Sequence, residues 1–140
     1  MKTTQTFRGE NPAKNNMTIS KGHVWTGRIL SGLAVSFLLV DGVMKLFRPA
    51  FVVEATRQLG YPESEIGVIG GMLLICTLLY ILPRTSILGA ILLTGYLGGA
   101  VASQVRIGVG WFNVMFAAMF GALVWSGLWL RDMRVRQYLP

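Results

Sequence analysis

Charge is scarce in this sequence: only 14% of its 140 residues are Asp, Glu, Lys or Arg, where a soluble domain typically carries about 25%. There is one cysteine, Cys76, and one histidine, His23. A lone cysteine excludes an intramolecular disulfide and a CxxC redox pair. With so few thiolate and imidazole donors, the usual metal and haem sites lack ligands, and His23 reads as a structural or interfacial residue. "GVGWFN" (Gly108–Asn113) is no nucleotide loop, because no strand precedes it. The basic residues form no motif with interleaved aromatics, so nucleic acid is not an expected partner.

What is present is apolar. Hydrophobic residues make up 53% of the chain, gathered in runs long enough to cross a bilayer, which takes about 20 residues. Four spans follow: His23–Leu46, Ser64–Leu82, Thr85–Gln104 and Trp111–Leu130. The expected fold is therefore all-α, an integral-membrane antiparallel four-helix bundle over residues 23–132. Residues 1–22, rich in Asn, Thr and Lys, read as a disordered tail, with Met17 as an alternative start. Residues 133–140 read as a basic tail. The first span does not resemble a cleaved signal peptide, because its apolar part is too long and no small-x-small cleavage site precedes a polar mature chain.

Alternating four spans puts Lys2, Arg8, Lys14, Lys21, Arg28, Arg84, Arg131, Arg134 and Arg136 on one side. Only Glu10 and Asp132 oppose them, so the whole formal excess of +7 falls there. The positive-inside rule makes that side cytoplasmic and both termini with it. On the other side Lys45, Arg48, Arg57 and Arg106 balance Asp41, Glu54, Glu63 and Glu65. Trp25, Trp111, Trp125, Trp129 and Tyr138 lie near span ends, as interfacial aromatics do, while the Met-rich stretch Met115–Met119 reads as packing.

Helices in lipid associate through close contact between small residues. Each span offers a pair at four-residue spacing: Gly27/Ser31, Gly67/Gly71, Gly95/Gly99 and Ala117/Gly121. "LPRTS" makes spans two and three antiparallel neighbours, with Pro83 ending the earlier helix. Between spans one and two, Phe51, Val52, Ala55 and Leu59 recur at helical spacing. They predict a short amphipathic helix, interfacial or merely connecting, stopped by Gly60 and Pro62.

Asp41 and Lys45 sit one turn apart on the stripe of Gly27, Ser31, Ala34 and Leu38. On span three, Gly95, Gly99, Ala102 and Arg106 share a face. The pattern predicts an inward cluster of Asp41, Lys45 and Arg106 near the outer mouth. Ionisable groups at such depth pair or face a cavity. Two readings stand: Asp41 and Lys45 neutralise each other while Lys45 snorkels, or they line a pocket with Tyr96, Gln104, Trp111 and Asn113.

The run from about Trp25 to Asp132 resembles the DoxX-like family of small four-helix bacterial membrane proteins. The likeness rests on "DGVMKLFRP", "LGYPES" and, most specifically, "LPRTSILGAILLTGYLGGAVASQVRIG". The matching positions are Gly42, Lys45, Pro83, Gly89, Gly95, Gly98, Gly99 and Arg106, none of them an established catalytic residue of the family. The family takes its name from a subunit linked to thiosulfate:quinone oxidoreductase, and other members are associated with redox-complex assembly. The resemblance thus implies a bacterial inner-membrane protein serving quinone-linked redox or oxidative-stress chemistry as an accessory subunit. A quinone, a redox enzyme partner or a homo-oligomer would be in keeping with it. Catalysis by this chain alone is not expected, and no catalytic residue is assigned. The alternative is a small-molecule carrier or channel with its pocket at the outer mouth.

Overall fold

The computed structural model describes residues 20–138. Met17 and nearly all of the expected polar tail lie outside the described residues. The elements are α1 (Lys21–Phe47), α2 (Ala50–Gln58), α3 (Ile66–Ile81, entered through a 3-10 turn at Glu63–Glu65), α4 (Ser86–Arg106), α5 (Trp111–Arg131) and α6 (Met133–Tyr138). No strand occurs among the described residues. Four helical segments, α1, α3 with its leading turn, α4 and α5, are long and apolar enough to cross a membrane, close to the spans read from the sequence. Their outward faces carry Ile29, Leu33, Val40, Ile75, Leu78, Leu88 and Ile91, all exposed. That surface suits hydrocarbon and not water, so the molecule is an integral-membrane four-helix bundle.

Each long helix packs on its neighbours in sequence, and α5 returns to α1, so the bundle is an up-and-down square. α1 and α4 face each other across one diagonal. One end of the bundle, called terminal here, holds the start of α1, the α3–α4 turn and α6. The other, distal end holds α2 and the α4–α5 loop.

Tyr80 is the hub of the terminal half. Its hydroxyl donates to the Val124 carbonyl at 2.8 Å and lies 3.0 Å from Ser31 Oγ. Since the tyrosine proton is given to Val124, Ser31 is the donor to Tyr80, and one chain of hydrogen bonds ties α1, α3 and α5. Arg131 donates to the Tyr80 carbonyl at 2.9 Å, with its guanidinium 4.7 Å from the ring centre. Pro83 leaves the last carbonyls of α3 without helical partners, and side chains serve them instead. Thr85 Oγ1 donates to Leu79 and Arg134 to Pro83.

Backbones approach closely at glycines. A Cβ on Gly27 would lie 3.0 Å from the Gly127 carbonyl oxygen, and one on Gly127 would lie 2.9 Å from the Ser31 nitrogen. Gly42 and Gly70 bring α1 against α3, and Gly89 presses on the Tyr80 backbone, 2.2 Å from a hypothetical Cβ. The Gly27/Ser31 pair therefore makes a helix contact, and its partner is Gly127. The other expected pairs behave differently. Gly71, Gly95 and Gly99 have no atom within 4 Å of a Cβ position, Gly67 meets only the Arg48 guanidinium, and Gly121 touches Leu97 loosely. Ala117 is buried. Small residues at four-residue spacing mark a smooth helix face, and whether a neighbour fills it depends on how the helix is rotated.

The segment read as a basic tail forms α6 and buries Val135 in the core. Asp132 turns the chain here: it accepts from the Arg134 backbone N–H and guanidinium. That hydrogen bond is the main reason the Asp132 carboxyl is held below the usual carboxylate range, with burial acting the other way. At the distal end α1 stops at Arg48, which takes a left-handed conformation (φ 52°) before Pro49. The turn after α2 passes through Gly60, whose φ of 84° suits glycine. The inward side of α2 and its connection carries Val52, Thr56 and Leu59. Of the apolar face read from the sequence, Phe51 (62% exposed) and Ala55 are exposed, as is Phe47 at 83%.

Candidate functional site

The distal half of the bundle is hollow. A cavity of about 470 Å³ lies between α1 and α4, within the size range of small-molecule sites. Its walls are mostly apolar, including Leu38 of α1, Ile69 and Met72 of α3, Leu97 of α4 and Phe116 and Phe120 of α5. The hollow exists because α4 offers glycine and alanine where a bundle core would need bulk. Gly95, Gly99 and Ala100 face it, and Ala117 does so from α5. The glycines expected to pull helices together instead leave room between them.

Polar groups converge on this space from three elements. Asp41 and Lys45 line it and form an ion pair with each other, with side chains 39% and 17% exposed. Tyr96 and Gln104 line it from α4. Gln104 Oε1 is the one buried side-chain polar atom without a hydrogen-bond partner among the described residues. Such an orphan costs about 1–3 kcal/mol unless something meets it. No group of three or more His, Cys, Asp or Glu among the described residues is arranged to hold a metal, and Cys76 is a buried free thiol.

The distal cover comes from α2 and the loop after it. Thr56, Leu59 and Tyr61 line the cavity from above. Tyr61 Oη lies 2.8 Å from Ser103 Oγ, which itself donates to the Gly99 carbonyl at 2.9 Å, so Tyr61 is the donor. Arg106 donates to the Leu59 carbonyl at 2.8 Å. This is where Arg106 goes. It is exposed and does not line the cavity with Asp41 and Lys45. Its long side chain finds an unpaired carbonyl on the α2 connection, which holds it better than a third charge beside Lys45 could.

Four of the expected pocket residues, Asp41, Lys45, Tyr96 and Gln104, therefore share one cavity. Arg106, Trp111 and Asn113 do not line it, and Trp111 is 80% exposed at the start of α5. Sequence reasoning missed Thr56, Tyr61 and Ser103. Tyr61 carried a signal, an aromatic held between Gly60 and Pro62, which is a turn that fixes a ring. Trp125, read as interfacial, donates to Thr94 Oγ1 at 2.8 Å and ties α5 to α4.

Fold and cavity together define a small multi-pass membrane protein with an amphipathic chamber in one half of its bundle. The model of the DoxX-like family matches residues 29–127, well over half of the chain. This protein belongs to the DoxX-like family. No curated protein and no solved structure matches it.

Proposed function

We propose that this protein is an accessory membrane subunit of a quinone-linked redox or oxidative-stress system, and that its own part is to hold a small amphipathic molecule in the distal cavity. The cavity carries this reading. Its apolar walls suit a ring, its volume suits a quinone headgroup, and Gln104, Lys45 and Tyr96 offer polar contacts. A quinone, when bound, would supply two-electron redox chemistry to a partner enzyme. The residues of this chain would orient the head and keep water from it.

Family membership supports a redox association, and the basic terminal end supports a bacterial inner-membrane placement with both termini cytoplasmic. A carrier or channel would need a path through the terminal half. There the Ser31–Tyr80–Val124 hydrogen bonds and the Gly27–Gly127 contact shut the bundle, which favours holding over passage. Two measurements test the proposal. Protein purified in mild detergent should bind decyl-benzoquinone or its quinol, and a redox enzyme should co-purify. Absence of binding, or quinone-independent flux of small solutes in proteoliposomes, would overturn it.

A further inference from the structure

Resting on the reading that the cavity holds a ligand, we infer that the ligand is a lipid-dissolved amphipath whose tail leaves sideways, through a glycine-lined gap between α3 and α4, with its polar head at the Gln104 end of the cavity. Several of the other sides are closed, the α1–α3 seam by the close approaches at Gly42 and Gly70. The distal side is covered by the α2 connection, pinned by Tyr61 to Ser103 and by Arg106 to the Leu59 carbonyl. The terminal side is shut at Tyr80. Between α1 and α5, Phe37 stacks on Phe120 at 4.2 Å and meets Phe116 edge-on at 5.4 Å, so rings fill that seam.

The α3–α4 seam is different. At its terminal end Gly89 lies hard against Tyr80. Further out the two helices run antiparallel from the same short turn, so Met72 stands level with Gly95 and Val68 with Gly99. All four line the cavity and all four are exposed on the outer surface as well. A Cβ on Gly95 or Gly99 would touch nothing within 4 Å. An opening framed by valine, methionine and glycines faces hydrocarbon, and only a molecule already in the bilayer meets it.

The head end is fixed by polarity. Gln104 and Ser103 lie at the distal end of α4. Gly95 is about 13 Å deeper along the helix, at 1.5 Å per residue. A head seated at Gln104 would therefore send its tail toward the mid-bilayer, to the level of the gap.

The test compares wild type with the double variant Gly95→Leu/Gly99→Leu in lipid nanodiscs, titrated with decyl-benzoquinol and with tail-less hydroquinone. A Cβ at either position meets nothing within 4 Å, and the melting temperature of the variant is read beside binding to show that it is folded. The expected result is decyl-benzoquinol binding weakened about tenfold or more, with hydroquinone unchanged within about twofold. Equal, undiminished binding of both probes would overturn the tail route, and so would equal loss of both in a variant that melts like wild type. Wild type that binds none of these molecules would instead overturn the cavity-binding reading on which this inference rests.

Discussion

Ser31 Oγ and Tyr80 Oη lie 3.0 Å apart in the closed half of the bundle, and Tyr80 passes the bond on to the Val124 carbonyl on α5. Inter-helix hydrogen bonds in membranes are worth about 0.6 kcal/mol on average and up to about 1.7. Tyr80→Phe removes both bonds and leaves Ser31 without its acceptor. We expect a loss of about 1–3 kcal/mol in unfolding free energy, read from reversible unfolding in mixed micelles, with the cavity ligand still bound. A variant as stable as wild type would show that packing alone closes the terminal half.

Glycines of this chain divide into two kinds, and substitution should separate them. Gly89→Ala forces a methyl onto the Tyr80 backbone, and Gly127→Ala forces one onto Ser31. Each should cost at least about 1–3 kcal/mol, the usual penalty of overpacking. Gly71→Ala and Gly99→Ala meet nothing and should instead stabilise by up to about 1 kcal/mol through helix propensity. Melting temperatures of the four variants check the order.

Asp41 and Lys45 neutralise each other at the cavity wall. Lys45→Met leaves the carboxylate unpaired, whereas Asp41→Asn/Lys45→Met removes both charges. The single variant should therefore be less stable than the double variant by about 1–3 kcal/mol, below the 3–5 of a fully buried pair because Asp41 is 39% exposed. Thermal unfolding of both variants reads the difference. Equal stability would mean that water already solvates Asp41.

Gln104→Leu should make the ligand-free protein more stable and a poorer binder. It replaces an orphan acceptor by apolar surface of similar size, worth about 1–3 kcal/mol. The melting temperature without ligand should rise while the ligand-induced shift shrinks. A drop in ligand-free stability would show that Gln104 is already satisfied.

Acid should loosen the terminal cap first. Asp132 has its folded-state pKa lowered by the hydrogen bond from Arg134. The unfolded chain then binds the proton more tightly, so the contribution of Asp132 is fully present above the ordinary carboxylate pKa of about 4. It is lost as pH falls through the lower folded value. Amide exchange in α6 should be steady from neutral pH to about 5, after correction for intrinsic rates, and its protection should fall below about 4. Asp132→Asn should show the low-pH behaviour at every pH.

Much of the bundle was legible without coordinates because hydrocarbon imposes its demand locally. A span of about 20 residues must be apolar whatever its neighbours are, so the four segments, the turn at Pro83 and the stop at Gly60 could each be read in place. Asp41 and Lys45 were legible as a pair for the same reason: one helical turn separates them. Arg106 was misplaced because its partner, the Leu59 carbonyl, lies 47 residues away in sequence. Nothing in the span-three pattern shows that a loop from elsewhere passes over it.

The sequence by itself determined how many times this chain crosses a bilayer and where it turns, since those depend on hydropathy and on Pro and Gly backbone limits along the chain. Only the tertiary structure decided that Gly27, Gly89 and Gly127 bind helices together while Gly95 and Gly99 hollow out a chamber. A helix face carries no label for what stands opposite it, and helix rotation is settled by all neighbours packing at once.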